Sequence, residues 1–369
     1  MIVAKIVFWV SLAALVWTHA AYPLAAALLA RVRPRPVRTA AIEPSVTVIV
    51  AAYNEEAVIE RRLENLLALD YPAEKLEVIV TSDASTDRTH ELVAGFSPRA
   101  KLIVNARGGK VTAQNRAVRE TRGEIVAFSD ANATWAVDAL RKLVRSFADP
   151  DVAYVMGRLN YADAEGGNRE GLYWRYETWL RAKESELGSV TGGYGSIYAV
   201  RREDYVEVDP RFGHDLAFPY LLVQRRRRAV YEPEAHAFEK PTPTNAAEFR
   251  RKVRMFEHCW LITLRGRMLR DLPPLYWLEM LSHRVLRYGS GLLHLLLIGA
   301  SIVLVREGWL YVVALAGQLG LLAAAAIGVG IARYYVLVTW ATVVALWNYL
   351  RRGVPATWTP PRESAEPSA

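Results

Sequence analysis

The sequence predicts an α/β fold: a doubly wound, mainly parallel sheet flanked by transmembrane helices at both ends. Three observations predict it. Between residues 45 and 128, apolar runs of strand length alternate with segments of helical periodicity, the rhythm of a parallel sheet with helices on its faces. Polar clusters follow four successive runs, at Tyr53-Asn54-Glu55, Asp83, Lys110 and Asp130-Ala131-Asn132. A right-handed open sheet gathers such ends in one crevice. Finally, long apolar stretches occupy both ends of the chain, while its middle is mixed and charged.

Composition agrees with that division. Of 369 residues, 52% are hydrophobic and 23% charged, enough for a domain of about 230 residues beside membrane segments. The net charge of +8 comes from arginines beside the apolar ends and at 225–228, which favours a membrane surface or phosphate ligands. No groove-reading motif accompanies it, so nucleic acid is not an expected partner. Cys259 is the only cysteine, which excludes an intramolecular disulfide and a cysteine-based zinc cluster.

Residues 1–30 read as an N-terminal transmembrane helix, apolar apart from Lys5, Ser11, Thr18 and His19 and long enough to cross a bilayer. Thr18-His19-Ala20 weakly resembles a signal-peptide cleavage site, but the apolar run continues past it, so a retained anchor is expected. Arg31, Arg33, Arg35 and Arg38 follow and place the C-terminal side of that span in the cytoplasm. Residues 31–44 form a Pro/Arg-rich linker, and residues 45–270 the cytoplasmic α/β domain. Within it, strands are expected near 45–51, 76–81, 101–105 and 125–128. Asn54 reads as a helix cap with Glu55 and Glu56 in the first turn, and Val58, Ile59, Leu63, Leu66 and Leu67 line one helical face. After Arg107-Gly108-Gly109-Lys110 a helix is expected to about Arg122. Residues 271–287, with Arg284 and Arg287, suit an interfacial amphipathic helix on the cytoplasmic leaflet. Residues 288–350 hold two or three transmembrane segments. Four spans would set Arg351 and Arg352 against the positive-inside rule, so one of the last two segments is expected to be re-entrant or interfacial. Residues 351–369 read as a disordered tail.

The run ending at Phe128 delivers Asp130 and Asn132 to the C-terminal edge of the sheet, where open α/β sheets bind ligands. Both oxygens can reach Mg²⁺ or Mn²⁺, which in turn holds a diphosphate; the bland reading is a turn or cap. No Gly-X-Gly-X-X-Gly follows the first strand, and carboxylates dominate the edge. That suits a metal-bridged nucleotide diphosphate.

Taken in order, Ala-Ala-Tyr-Asn-Glu-Glu at 51–56, Ser-Asp-Ala-Ser-Thr-Asp-Arg-Thr at 82–89, Gly-Lys-Val-Thr-Ala-Gln-Asn-Arg-Ala at 109–117 and Phe-Ser-Asp-Ala-Asn-Ala-Thr-Trp at 128–135 resemble the nucleotide-sugar domain of family 2 glycosyltransferases. Their fold is called GT-A. Thr-Gly-Gly-Tyr-Gly-Ser-Ile-Tyr at 191–198, Gly213-His214-Asp215 and Arg-Arg-Lys-Val-Arg-Met at 250–255 extend the match to about residue 269. With apolar ends, the chain resembles the membrane-embedded branch that includes cellulose, hyaluronan and poly-N-acetylglucosamine synthases.

The resemblance implies inverting transfer from a nucleotide-sugar, expected to be a UDP-sugar, to a lipid-linked or membrane-proximal glycan acceptor. Asp83 would accept hydrogen bonds from base or ribose, with Tyr53 and Glu55 shaping the pocket. Lys110 would sit by the diphosphate, and Asp130 and Asn132 would hold the Mg²⁺ or Mn²⁺. The family more often has aspartate at 132, and an amide oxygen is the weaker ligand. Asp215 would be the catalytic base, with His214 where glutamate is usual and Asp204 and Asp209 as alternative bases. Gly192, Gly193 and Tyr194 would form a loop close to the sugar or acceptor. Arg254 would clamp the diphosphate, in a segment where Met255 replaces the tryptophan that gives processive synthases a sugar platform. Tyr173, Trp174, Tyr176 and Trp179 read as packing, His236 as a possible additional metal ligand, and the arginines at 225–228 as an exposed patch. Two other classes fit less well. Intact Asp83, Asp130 and Asp215 argue against a non-catalytic membrane scaffold or sensor, and a nucleotidyltransferase would have no need of a base at Asp215.

Overall fold

The computed structural model describes residues 1–161, 171–241 and 244–357. Eight strands form one sheet: β1 (Val46–Ala52), β2 (Leu76–Asp83), β3 (Lys101–Asn105), β4 (Ile125–Asp130), β5 (Thr134–Trp135), β6 (Val152–Tyr161), β7 (Tyr198–Arg201) and β8 (Arg228–Glu239). Their order is β3-β2-β1-β4-β7-β6-β8-β5. The first four strands pair in parallel, and so do β6 and β8. In contrast, β7 runs antiparallel to both β4 and β6, and β5 antiparallel to β8. The α/β class is as expected, but the sheet is mainly parallel only in its first half.

The sequence of β1, Val-Thr-Val-Ile-Val-Ala-Ala, explains its central place. Val46, Val48 and Val50 pack into the core on one face and Ile49 into the core on the other, as a strand covered on both sides requires. The helix Ile59–Leu67 buries Ile59, Leu63 and Leu66 against the first of these cores, each side chain contributing roughly 1.5–3 kcal/mol. That helix begins at Ile59, with Val58 at its N-cap. Asn54 is not its cap. It adopts a left-handed backbone with φ of 57°, which asparagine tolerates better than most residues, and its Oδ1 accepts from the Thr86 amide at 2.8 Å. The asparagine therefore joins the loops after β1 and β2. The helix after the Arg-Gly-Gly-Lys segment spans Lys110–Arg119, ending short of Arg122.

At the chain ends, Ile2–Val32, Trp309–Ala326 and Gly330–Arg352 are long and apolar enough to cross a membrane. Pro274–Tyr288 and Ser290–Leu304 form a further pair, bent by 64°. Large apolar side chains such as Val3, Leu24, Leu28, Leu319 and Trp347 stand exposed on these helices, a surface that water alone does not favour.

Several arginines expected at the surface lie inside. Arg287 pairs with the Glu177 carboxylate at 2.7 Å, and Arg284 is only 6% exposed, so both arginines of the segment 271–287 turn inward. Arg228 is buried and donates to the carbonyls of Arg35, Pro36 and Gly188, tying the Pro/Arg linker to the sheet. Arg227 pairs with Asp204, which leaves Arg225 and Arg226 as the exposed part of that patch. Arg351 and Arg352 continue the last helix instead of opening a tail, and Arg352 pairs with Glu257 at 3.1 Å. The chain then reaches the α/β domain: a Cβ placed on Gly109 would collide with the Ala356 carbonyl oxygen. Residues 358–369 of the expected tail lie outside the described residues.

Candidate active site

The parallel half of the sheet brings the ends of β1, β2 and β4 to one edge. At the end of β2, the Asp83 carboxylate accepts from the amides of Gly108 at 2.7 Å and Gly109 at 3.0 Å. Arg107 also donates to it, and its guanidinium lies 3.4 Å from the centre of the Tyr53 ring. Gly109 has φ of +92°, a conformation that favours glycine, and it starts the helix that carries Lys110. Asp83 is 3% exposed, and its carboxylate holds this loop. Arg107 was not foreseen from the sequence, although Arg-Gly-Gly-Lys was the available signal.

One helical step later the Lys110 ammonium contacts the Asp130 carboxylate. Enclosure opposes the charge on Lys110, but the carboxylates of Asp130, Asp215 and Glu239 outweigh it and hold its pKa up. Glu55 sits in the same field. Burial first, then the charges of Asp130 and Asp87, raise its pKa to about 7. Glu239, at the end of β8, accepts from Ser196 Oγ, and burial and then Asp130 raise its pKa as well. Sequence reading missed Glu239, because the charged, proline-containing stretch leading to it does not look like a strand.

Asp215 lies in the first turn of the helix His214–Gln224. Burial raises its pKa, Lys110 partly offsets this, and Asp130 adds to the rise. Neighbouring His214 is packed inside, its Nδ1 3.0 Å from the Tyr198 hydroxyl, with burial lowering its pKa to about 3. It is a neutral structural group.

The loop 191–195 bridges the two centres. The Gly193 amide donates to the Asp215 carbonyl at 2.6 Å. A Cβ on Gly195 would stand 3.3 Å from Asp130 Oδ2 and 3.4 Å from Lys110 Nζ, so the backbone here runs against both side chains. At Gly193 a Cβ would meet the Tyr154 hydroxyl at 1.9 Å. Tyr194 is buried, with Arg181 4.3 Å from its ring centre and the Trp174 ring at 4.9 Å. It braces the loop and does not present its ring to solvent.

The remaining candidates are placed as follows. Asn132 is exposed in the turn after β4. Arg254 lies half-buried on the helix Asn245–Arg265, one turn beyond Arg251, whose charge acts on Glu239. Asp204 follows β7, which runs antiparallel to β4 with Arg201 opposite Ile125. It therefore stands at the opposite edge of the sheet from Asp130, engaged with Arg227, and is no base for this crevice. Asp209 is held by Arg211 at 2.8 Å. His236 Nδ1 lies 3.1 Å from Asn160 Nδ2. Among the described residues, no three His, Cys, Asp or Glu side chains converge on a metal position. One carboxylate, an adjacent amide and substrate phosphates are nevertheless a donor set that suits Mg²⁺ or Mn²⁺.

A family model described as glycosyl transferase family 2 matches residues 47–208. The β-monoglucosyldiacylglycerol synthase of Synechocystis is 36% identical over 163 residues, 42% of this chain and 33% of that relative. The chain thus matches about a third of the length of such glucolipid synthases. An N-acetylglucosaminyltransferase of Bradyrhizobium elkanii is 37% identical over 144 residues, 72% of its length. Among solved structures, the mannosyltransferase PcManGT from Pyrobaculum calidifontis, in complex with GDP-Man and Mn²⁺, superposes with a TM-score of 0.74 at 26% identity, covering 94% of this chain and 99% of that one. With most of a relative spanned at that identity and the mixed sheet of the GT-A fold in place, the chain belongs to family 2 of the glycosyltransferases.

Proposed function

We propose that the protein is an inverting, metal-dependent glycosyltransferase. It moves a sugar from a nucleotide-sugar to a lipid-linked or membrane-proximal acceptor, with the α/β domain on the cytoplasmic side. The observation that carries this reading is the loop 191–195, which joins Asp215 to Asp130 and Lys110. Donor and acceptor chemistry thereby share one crevice. PcManGT holds GDP-Man and Mn²⁺, and the glucolipid synthases act at diacylglycerol by name, which supports a nucleotide-sugar donor and a lipid acceptor here. The helices at both ends that are long and apolar enough to cross a membrane support a membrane-embedded transferase.

In this reading Asp83 and Tyr53 shape the nucleotide pocket through Arg107 and the Gly108-Gly109 amides. Asp130 and Asn132 would hold the divalent ion, which would offset the diphosphate charge. Lys110 and Arg254 add positive charge where the leaving group departs. Asp215 takes the proton from the acceptor hydroxyl as its oxygen bonds to the anomeric carbon. The bond from that carbon to the diphosphate oxygen breaks, and the nucleoside diphosphate leaves with the electron pair. The test of the activity is nucleotide release by the full chain in detergent. GDP-mannose, UDP-glucose and UDP-N-acetylglucosamine serve as donors, and a membrane lipid extract as acceptor source. No release above the lipid-free background with any of them contradicts the reading.

Asp215→Asn keeps shape but removes the base, so turnover should fall by roughly 10²–10⁴-fold with donor affinity near wild type. Because the Asp215 pKa is raised, activity in wild type should be lost on acidification at a pH above the ordinary carboxylate value of about 4. Near-normal turnover in the variant, or an acid limb at or below that value, would remove Asp215 from the role. Asp130→Ala should abolish divalent-dependent donor binding measured by calorimetry, and full transfer in excess chelator would refute metal dependence. A periplasmic reporter fused after Pro44 should be silent, whereas an active fusion would reverse the orientation.

A further inference from the structure

The polar groups buried where the terminal helices meet the α/β domain are not used by the mechanism above. They converge on the first residue of the bridging loop. Arg284 Nε donates to both the carbonyl and the hydroxyl oxygen of Thr191, each at 3.1 Å. The Thr191 hydroxyl donates to Glu184 at 2.9 Å and lies 3.1 Å from His283 Nδ1. A Cβ on Gly192 would come within 2.5 Å of Arg284 Nη2, so the guanidinium is packed directly beneath the loop. The nearby carboxylates complete the network: Glu177 pairs with Arg287, and Glu184 with His283 while it accepts from Thr191. Arg284 also meets the Tyr288 hydroxyl, while both bonds of its Nε go to Thr191. A planar, permanently charged fork held in one orientation is a rigid strut, which a flexible lysine is not.

Two residues past Thr191, the Gly193 amide holds the Asp215 backbone. At the other end, Arg284 and His283 lie on the π-helical turn Met280–Val285. This turn meets a second π-helical turn, Trp17–Ala21, where the Trp17 indole donates to Ser282 Oγ at 2.8 Å and the Thr18 hydroxyl to the Ser282 carbonyl at 2.5 Å. A π-turn inserts an extra residue and re-aims the side chains that follow, and such turns recur at functional sites. Here the two irregular turns aim Arg284 at the loop.

We infer that Arg284 is a positioning residue for sugar transfer: through Thr191 and Gly193 it fixes Asp215 relative to the donor, and couples that register to the membrane-proximal helices. This rests on the assignment of Asp215 as base. Buried hydrogen bonds of this kind can instead serve packing alone, so the test separates catalysis from stability. Arg284→Lys, Thr191→Val and the double variant are compared with wild type in detergent. Transfer is followed by nucleotide release with the productive donor, GDP or UDP affinity with Mn²⁺ by calorimetry, and thermal melting alongside. A slightly misplaced base costs rate more than binding. Each single variant should lower kcat by about 10-fold or more, with nucleotide affinity changed less than about 2-fold, and the double variant should fall little further than the worse single one. Unchanged kcat in both singles overturns the proposal. So do losses that multiply in the double variant, or losses that track nucleotide affinity and melting temperature. If Asp215→Asn is as active as wild type, the base assignment fails. If it is inactive while Arg284→Lys and Thr191→Val are normal, only the positioning role fails.

Discussion

The contact of Lys110 with the carboxylates around it organises the crevice. Lys110 touches Asp130 and feels Asp215 and Glu239 as well, in a site where burial first, and then the Asp130 charge, raise the pKa values of Glu55 and Glu239. The Lys110–Asp130 pair is half exposed, so its net stabilisation is about 1 kcal/mol or less. Its value is positional. It keeps four acidic side chains facing one space without driving them apart, and sets a positive charge beside the strand end where a diphosphate would lie.

Because the carboxylates come from different elements, their register depends on backbone. Asp130 is fixed by β4 within the parallel half of the sheet, and Asp215 by a helix start on the antiparallel side. The glycines of the loop 191–195 are the physical means of joining them: side chains at 193 and 195 would collide with Tyr154 or press on Asp130 and Lys110. Arg181 and Arg284 then brace that loop from beneath. The crevice and the terminal helices are thus one packed unit.

How much of this the sequence disclosed follows from the range of the forces involved. Strands β1 to β4 were legible because continuous apolar runs bounded by turn residues are a local signal, and the polar clusters at their ends gave Glu55, Asp83, Lys110 and Asp130 directly. Asn54 was misread as a cap because its true partner, Thr86, is 32 residues away. Arg284 and Arg287 have the spacing of an interfacial helix, and only their contacts with Thr191 and Glu177, about a hundred residues earlier, turn them inward. Glu239 ends a strand whose polar sequence hides it. The antiparallel insertion of β7 between β4 and β6 has no counterpart in a βα rhythm. Recognition of Asp215 came from family resemblance, and its meeting with Lys110 from the fold.

The central claim is a single displacement in which Asp215 deprotonates an acceptor on the face opposite the departing nucleotide. Its most direct measurement is the anomeric configuration of the first product. With an α-linked nucleotide-sugar donor, proton NMR of the purified glycoside should show a β-linkage at the transferred sugar. An α-linked product would mean retention, and with it a mechanism in which Asp215 is not the base of a direct displacement.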